Sequence, residues 1–245
     1  MEKLLLDGKW ELHYAPEQPR KTTAQAVKED PAYTHIEANV PGNAELDLYA
    51  AGKAPEPFWG TNLYAFRPCE FYEWWYTRTF VAPQALADRG AVLCLDGVDT
   101  FSTVYLNGTA VGETDDMMLE YRFDVTEALR EGENEIAVHI RSTVNAARNM
   151  DYPMGVRGPG WEHTDEMICV RKPGHMFGWD IAPRFVSAGL WRSVSICPKR
   201  DTYFKEVYMT TLRADRERAQ VLLKFRFAAE DPMLEGFAVQ VRGTC

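Results

Sequence analysis

The fold is decided most clearly at Thr103-Val104-Tyr105-Leu106-Asn107-Gly108-Thr109-Ala110-Val111-Gly112-Glu113, where two short segments of strand-forming residues flank an Asn-Gly pair. A two-residue type I′ turn prefers Asn-Gly because both central residues need a positive φ. Asn107-Gly108-Thr109 also matches the N-glycosylation pattern, but a turn explains the same three residues. We therefore expect a β-hairpin here.

Strand signals continue on both sides of this hairpin. Residues 74–81 are aromatic and β-branched almost throughout, residues 91–98 form an apolar run closed by Asp96-Gly97, and apolar and polar residues alternate over residues 135–141. A helix is expected over residues 44–51 and a single helical turn over residues 126–129, and residues 15–33 are expected to form a loop or a short helix. Many short strands separated by turns predict an all-β fold, an antiparallel sandwich of the jelly-roll kind.

A second unit is expected to begin after Pro198. Its strand signals are residues 202–212, the alternation Val221, Leu223, Phe225 and Phe227, and the alternation Phe237, Val239 and Val241. An immunoglobulin-like sandwich needs about seven strands. The sequence thus predicts two domains: a jelly roll at residues 1–198, and the incomplete start of an immunoglobulin-like β-sandwich at residues 199–245.

Composition limits the classes of partner and the compartment. The 245 residues carry a formal net charge of −9, and no segment gathers Lys and Arg between aromatic residues, which argues against nucleic acid as a partner. No run reaches the roughly 20 apolar residues of a membrane span, and residues 4–6 are too few for a signal peptide. Five widely spaced cysteines without a Cys-x-x-Cys pair favour a reducing compartment. We expect a cytoplasmic protein with no membrane partner.

Residues 171–196 carry the strongest functional signal, a Gly- and Pro-rich loop followed by an apolar strand. Trp179 and Asp180 stand side by side in this loop, at the end of a long irregular section expected over residues 142–178. An aromatic ring beside a carboxylate suits a sugar, because the ring covers C–H faces while the carboxylate accepts hydrogen bonds from hydroxyls. The alternative is that Trp179 fills the core and Asp180 forms a turn before Pro183.

Other groupings of polar residues suit chemistry less well. Asp115-Asp116 and Asp165-Glu166 resemble carboxylate pairs, but charged loop positions explain them more simply. His163, Asp165 and His175 fit no known spacing of metal ligands. We expect no metal, no cofactor and no catalytic residue in this chain.

Several motifs in the first 200 residues resemble glycoside hydrolase family 2, in particular its β-mannosidase-like branch. They are Val40-Pro41-Gly42, Asp47-Leu48, Ala50-Ala51-Gly52, Pro57-Phe58-Trp59-Gly60-Thr61-Asn62, Trp74-Trp75-Tyr76-Thr77-Arg78-Thr79-Phe80, Leu95-Asp96-Gly97-Val98-Asp99-Thr100, Val104-Tyr105-Leu106-Asn107-Gly108, Phe123-Asp124-Val125-Thr126, Gly132-Glu133-Asn134, Phe177-Gly178-Trp179-Asp180 and Ala188-Gly189-Leu190-Trp191-Arg192. The chain differs from that branch at Ile181-Ala182-Pro183, where Trp and Gly usually precede the Pro. The sugar itself is therefore left open.

The resemblance implies a galactose-binding-like jelly roll, then an immunoglobulin-like sandwich, then a catalytic (β/α)8 barrel that holds both catalytic glutamates. It also implies that Asp180, with Trp179, reaches the sugar, so that the partners are a terminal β-linked sugar and the chain's own downstream barrel. The implied activity is that of a retaining exo-β-glycosidase, with mannosides as the leading substrate. The alternatives are a β-galactosidase, β-glucuronidase or exo-β-glucosaminidase of the same family, or a non-catalytic carbohydrate-binding module.

Overall fold

The computed structural model describes residues 3–18, 22–88, 90–151, 165–200, 202–229, 236 and 238–242. The chain divides into two compact units, Met1–Pro198 and Lys199–Cys245. Among the described residues, no helix has the length and apolar character needed to cross a membrane.

Strands dominate the described part of the chain. They are β1 Leu4–Leu5, β2 Gly8–Pro16, β3 Thr34–Val40, β4 Tyr72–Ala82, β5 Ala91–Leu95, β6 Ser102–Leu106, β7 Thr109–Thr114, β8 Tyr121–Asp124, β9 Gly132–Ile140, β10 Val194–Pro198, β11 Thr202–Ala214 and β12 Ala219–Ala229. The α-helices are short: α1 Ala24–Glu29, α2 Ala44–Ala50, α3 Gln84–Ala87 and α4 Thr143–Arg148. Single 3₁₀ segments lie at Asn62–Phe71, Asp165–Met167 and Gly174–Phe177.

The first unit is a sandwich of two antiparallel sheets. One has the order β3-β2-β4-β9-β6-β7 and the other the order β1-β10-β5-β8. Alternate residues of both sheets enter one apolar core, among them Leu12, Trp74, Tyr76, Val138, Leu93, Leu95 and Ile196. Strand β1 pairs with β10, placing Leu4 opposite Ile196, so both ends of the unit lie in one sheet. The predicted all-β sandwich is confirmed.

The Asn-Gly hairpin forms as predicted. β6 and β7 pair with Leu106 opposite Thr109, and the two central residues have φ of 51° at Asn107 and 79° at Gly108. The side-chain amide of Asn107 also donates to the Asn134 side chain at 2.7 Å and to the carbonyl of Ala128 at 2.8 Å. These bonds join the hairpin to the start of β9.

A helix interrupts the section that was expected to be irregular. Helix α4 begins after Ser142, whose hydroxyl accepts a hydrogen bond from the Asn145 amide at 3.0 Å, and it buries Val144 and Ala147. The expectation was wrong at this point because the Gly and Pro residues farther along the section outweighed the Ser142 cap and the three-residue spacing of Val144 and Ala147. Residues 152–164 of the same section lie outside the described part.

The second unit contains one antiparallel hairpin, β11 with β12. Many of its large apolar side chains are exposed, including Phe204, Val207, Tyr208, Met209, Leu212 and Phe225. The third strand was expected through Phe237, Val239 and Val241. Phe237 lies outside the described part, and described residues 238–242 lie in no strand. Assignment of this unit to an immunoglobulin-like sandwich stays a prediction.

Candidate functional site

Trp179 and Asp180 lie in a tight turn at residues 179–182. The Trp179 amide donates to the Ala182 carbonyl at 2.8 Å, and the Ala182 amide donates back to Trp179 at 3.2 Å. Asp180 and Ile181 are the two central residues of this turn. Asp180 is exposed, Ile181 is 94% exposed and Trp179 is 52% exposed. The core-filling alternative for Trp179 is therefore wrong, whereas Asp180 does stand in a turn, with its carboxylate on the surface.

The segments before and after this turn, residues 176–178 and 183–185, are its two legs, and they are held together at the base of the turn. The Phe185 amide donates to the Met176 carbonyl at 2.8 Å, and the fully buried Phe177 ring carries the Arg184 guanidinium 5.4 Å from its centroid. Gly178 has φ of 110°, a conformation that a residue with a Cβ rarely adopts. The exposed turn thus stands on a buried base.

Arg184 is the centre of a charge network under the turn. Its Nε donates to both Glu70 oxygens at 3.0 Å, and its second nitrogen donates to Glu70 at 2.7 Å and to Glu166 at 2.9 Å. Arg148 binds Glu166 at 2.5 Å, and Arg67 binds Glu70 at 2.9 Å. Burial lowers the pKa of Arg184, but the hydrogen bonds to the two carboxylates outweigh it and raise that pKa overall. This network joins the turn to Asn62–Phe71, α4 and Asp165–Met167.

A second buried cluster lies behind the same segment. The Lys172 ammonium binds Asp99 and donates to the Ser187 carbonyl at 2.8 Å, and the Ser187 hydroxyl donates to Asp99 at 3.2 Å. Glu45, in the first turn of α2, accepts a long 3.4 Å hydrogen bond from the Ala188 amide. Burial raises the pKa of Glu45 to about 8.

An aromatic loop precedes Asn62–Phe71. Phe58 is 81% exposed and Trp59 is 76% exposed, while Glu56 holds the loop by accepting from the Phe58 amide at 3.2 Å. Farther along, Phe66 meets the Phe185 ring edge-on at 5.5 Å, so the segment after this loop contacts the segment after the turn. The sequence pattern assigned no role to these two rings, although two adjacent aromatic residues between Pro57 and Gly60 are visible in the sequence.

The other polar groupings do not form a site in the described residues. The Tyr121 hydroxyl donates to Asp115 at 2.9 Å and Asp116 accepts from the Met118 amide at 2.8 Å, while Glu166 is engaged by Arg148 and Arg184. His175 is exposed and His163 lies outside the described part. No group of three or more potential metal ligands occurs within the residues that the structure describes.

Comparison with known proteins accounts for this architecture. The family model for the glycosyl hydrolase 2 galactose-binding domain-like domain matches residues 16–192. Beta-mannosidase B from Thermothelomyces thermophilus is 31% identical over 192 residues, which cover 78% of this chain and 21% of that protein. The chain thus spans about a fifth of the length of this curated relative.

Solved structures agree with the family match. The crystal structure of β-D-mannosidase from Dictyoglomus thermophilum aligns with a TM-score of 0.76 and 30% identity, covering 93% of this chain and 26% of that one. A β-glucuronidase from Bifidobacterium dentium aligns with a TM-score of 0.58 at 22% identity, covering 94% of this chain and 36% of that one, and it shows the fold alone. The two-sheet sandwich and the matched motifs lead to one conclusion: the chain belongs to the glycosyl hydrolase 2 family, through its galactose-binding-like domain.

Proposed function

We propose that this chain is the N-terminal part of a retaining exo-β-glycosidase that hydrolyses terminal β-mannosides. In this proposal the domain contributes one wall of the sugar site, formed by Trp179 and Asp180. The observation that carries it is the 179–182 turn, which presents a half-exposed indole and a carboxylate on a buried base. The relatives named β-mannosidases support the substrate class.

The two side chains suit different parts of a sugar. The Trp179 ring offers an apolar face for C–H groups, and the Asp180 carboxylate accepts hydrogen bonds from hydroxyls. A hydrogen bond to a charged group contributes about 1.5 to 3 kcal/mol. Such a contact selects a sugar by the position of its hydroxyls, because an unpaired carboxylate in a closed site costs free energy.

Hydrolysis itself is assigned to a domain beyond this chain. Retaining glycosidases use two carboxyl groups about 5 to 5.5 Å apart, one as nucleophile and one as acid/base. We propose that a downstream barrel supplies both groups and closes the pocket against the 179–182 turn. The cytoplasmic location expected from the cysteine spacing stays a prediction.

The test uses the longest protein that carries this chain at its N-terminus. Its kcat/KM is measured on aryl β-mannoside, β-galactoside, β-glucuronide and β-glucosaminide, with this chain alone as the control. We expect the highest kcat/KM on the mannoside and no turnover by the chain alone. A higher value on another glycoside would overturn the mannoside assignment. Sugar binding by a longer protein that cleaves none of the four would favour a carbohydrate-binding module.

A further inference from the structure

The buried Arg184 side chain holds both legs of the 179–182 turn. It lies two residues after Ala182, and its guanidinium stacks on Phe177, two residues before Trp179. The side chain is only 7% exposed. Its planar fork is fixed from the other side by Glu70 and Glu166, so it has little freedom to follow a movement of the turn.

Stability alone is a weak reason for such a group. Removing a guanidinium and two carboxylates from water is costly, and replacing buried ion pairs by apolar side chains of similar volume is often neutral or stabilising. Beyond packing, the ions supply direction, because a guanidinium donates its paired hydrogen bonds to a carboxylate that lies in its own plane. The network under the turn is therefore suited to fix the orientation of the 179–182 turn.

We propose that Arg184 is a positioning residue. Its guanidinium packs on Phe177, in the segment before the turn, and binds Glu70 and Glu166. In this way it fixes the position of the Asp180 carboxylate relative to the sugar. The inference rests on the proposed function, since it needs Asp180 to contact substrate. A displacement of about 1 Å at a binding group can lower the rate by two orders of magnitude. Arg184 itself stays under the turn and touches no substrate.

A double-mutant cycle tests this in the longest protein that carries the chain. The variants are Arg184→Lys, Asp180→Asn and the two combined. Lys keeps the positive charge but cannot form the bidentate fork. We expect Arg184→Lys to lower kcat/KM about tenfold on its own and less than twofold in the Asp180→Asn background, because two residues that act through one contact are not additive.

Two further variants keep the test decisive. Arg122→Lys is the matched control, because Arg122 binds Glu120 at 3.0 Å outside the network under the turn and is 55% exposed, and it should change kcat/KM less than twofold. Glu70→Gln leaves Arg184 in place and removes one charged acceptor. If Arg184→Lys does not fold, Glu70→Gln replaces it in the cycle. It should then lower kcat/KM when Asp180 is present and lower it less than twofold in the Asp180→Asn background. Thermal unfolding is measured for every variant.

The outcomes separate the two hypotheses. Equal losses from Arg184→Lys with and without Asp180→Asn would show a general structural role and would overturn the inference, while a large effect of Asp180→Asn alone would still support the proposed site. An Asp180→Asn variant with nearly unchanged kcat/KM would overturn the proposed site, and with it the inference. If Arg184→Lys lowers kcat/KM only when Asp180 is present, the result supports both the proposed site and the inference.

Discussion

Replacing Glu45 with Gln should remove a loss of stability that Glu45 is expected to cause in the first unit as pH rises from 5 to 8. The Glu45 carboxyl is buried in the first turn of α2, with the Ala188 amide as a distant donor at 3.4 Å. Burial raises its pKa to about 8, opposed by the Glu45 and Ala188 amides and the Lys172 charge and assisted by the Asp99 charge. The folded chain therefore keeps a proton that the unfolded chain loses near pH 4.5.

The sign and size of the effect follow from this difference. Because the folded-state pKa is raised, the contribution of Glu45 to stability is fully present below pH 4.5 and is lost as pH rises through about 8. Linkage between these two pKa values gives a loss of ~1 kcal/mol by pH 5 and ~4 kcal/mol by pH 8. The free energy of unfolding should therefore fall by about 3 kcal/mol over this range through Glu45.

Urea unfolding at pH 5, 6, 7 and 8 measures this directly. All 7 tryptophans precede Pro198, so indole fluorescence reports the first unit. The quantity compared is the free energy of unfolding of Glu45→Gln minus that of the unsubstituted chain, and this difference should grow by about 3 kcal/mol from pH 5 to pH 8. Exposed Glu127→Gln is the control and should show no such growth. Growth of less than about 1 kcal/mol for Glu45→Gln would refute the reasoning.

Three further substitutions or regions test the fold. Asn134→Ala should cost about 2 to 4 kcal/mol in urea unfolding, because its side chain joins Asn107, Arg130 and Gly132; a cost as small as that of exposed Asn149→Ala would contradict this. Gly112→Ala places a Cβ 2.1 Å from the Phe123 ring and should lower the melting temperature, and an unchanged melting temperature would be evidence against that packing. Amides of β11 and β12 should exchange with solvent at least about tenfold faster than those of β5 in a verified monomer, and equal rates would count against an incomplete sandwich.

Local signals were enough to predict several of the strands and the all-β fold class. The Asn107-Gly108 turn and the aromatic strand β4 depend on residues next to each other in sequence, and both lie where expected. Helix α2 was also predicted, over residues 44–51, and in the structure Asn43 caps it by accepting from the Glu45 and Leu46 amides. These elements follow from turn and cap chemistry that operates over a few residues.

The base of the candidate site could not be predicted in the same way. Arg184 binds Glu70, 114 positions away in sequence, and Glu166, 18 positions away. Nothing in either spacing distinguishes these pairs from the other charged residues of the sequence. The burial of Glu45 is likewise set by the segment carrying Ala188, 143 positions away. Sequence identified the exposed pair Trp179 and Asp180, but the groups that hold it come together only in the folded chain.

Asp180→Asn in the longest protein that carries this chain tests the central claim most directly. The substitution keeps the size of the side chain and the turn, and it removes the charge that would accept from a sugar hydroxyl. A charge-assisted hydrogen bond of about 1.5 to 3 kcal/mol corresponds to a fall in kcat/KM of roughly ten- to a hundredfold on the preferred glycoside. Asp88→Asn, an exposed residue after α3, should leave kcat/KM unchanged. A fall of less than about threefold for Asp180→Asn, in a protein with unchanged melting temperature, would show that Asp180 only forms the turn.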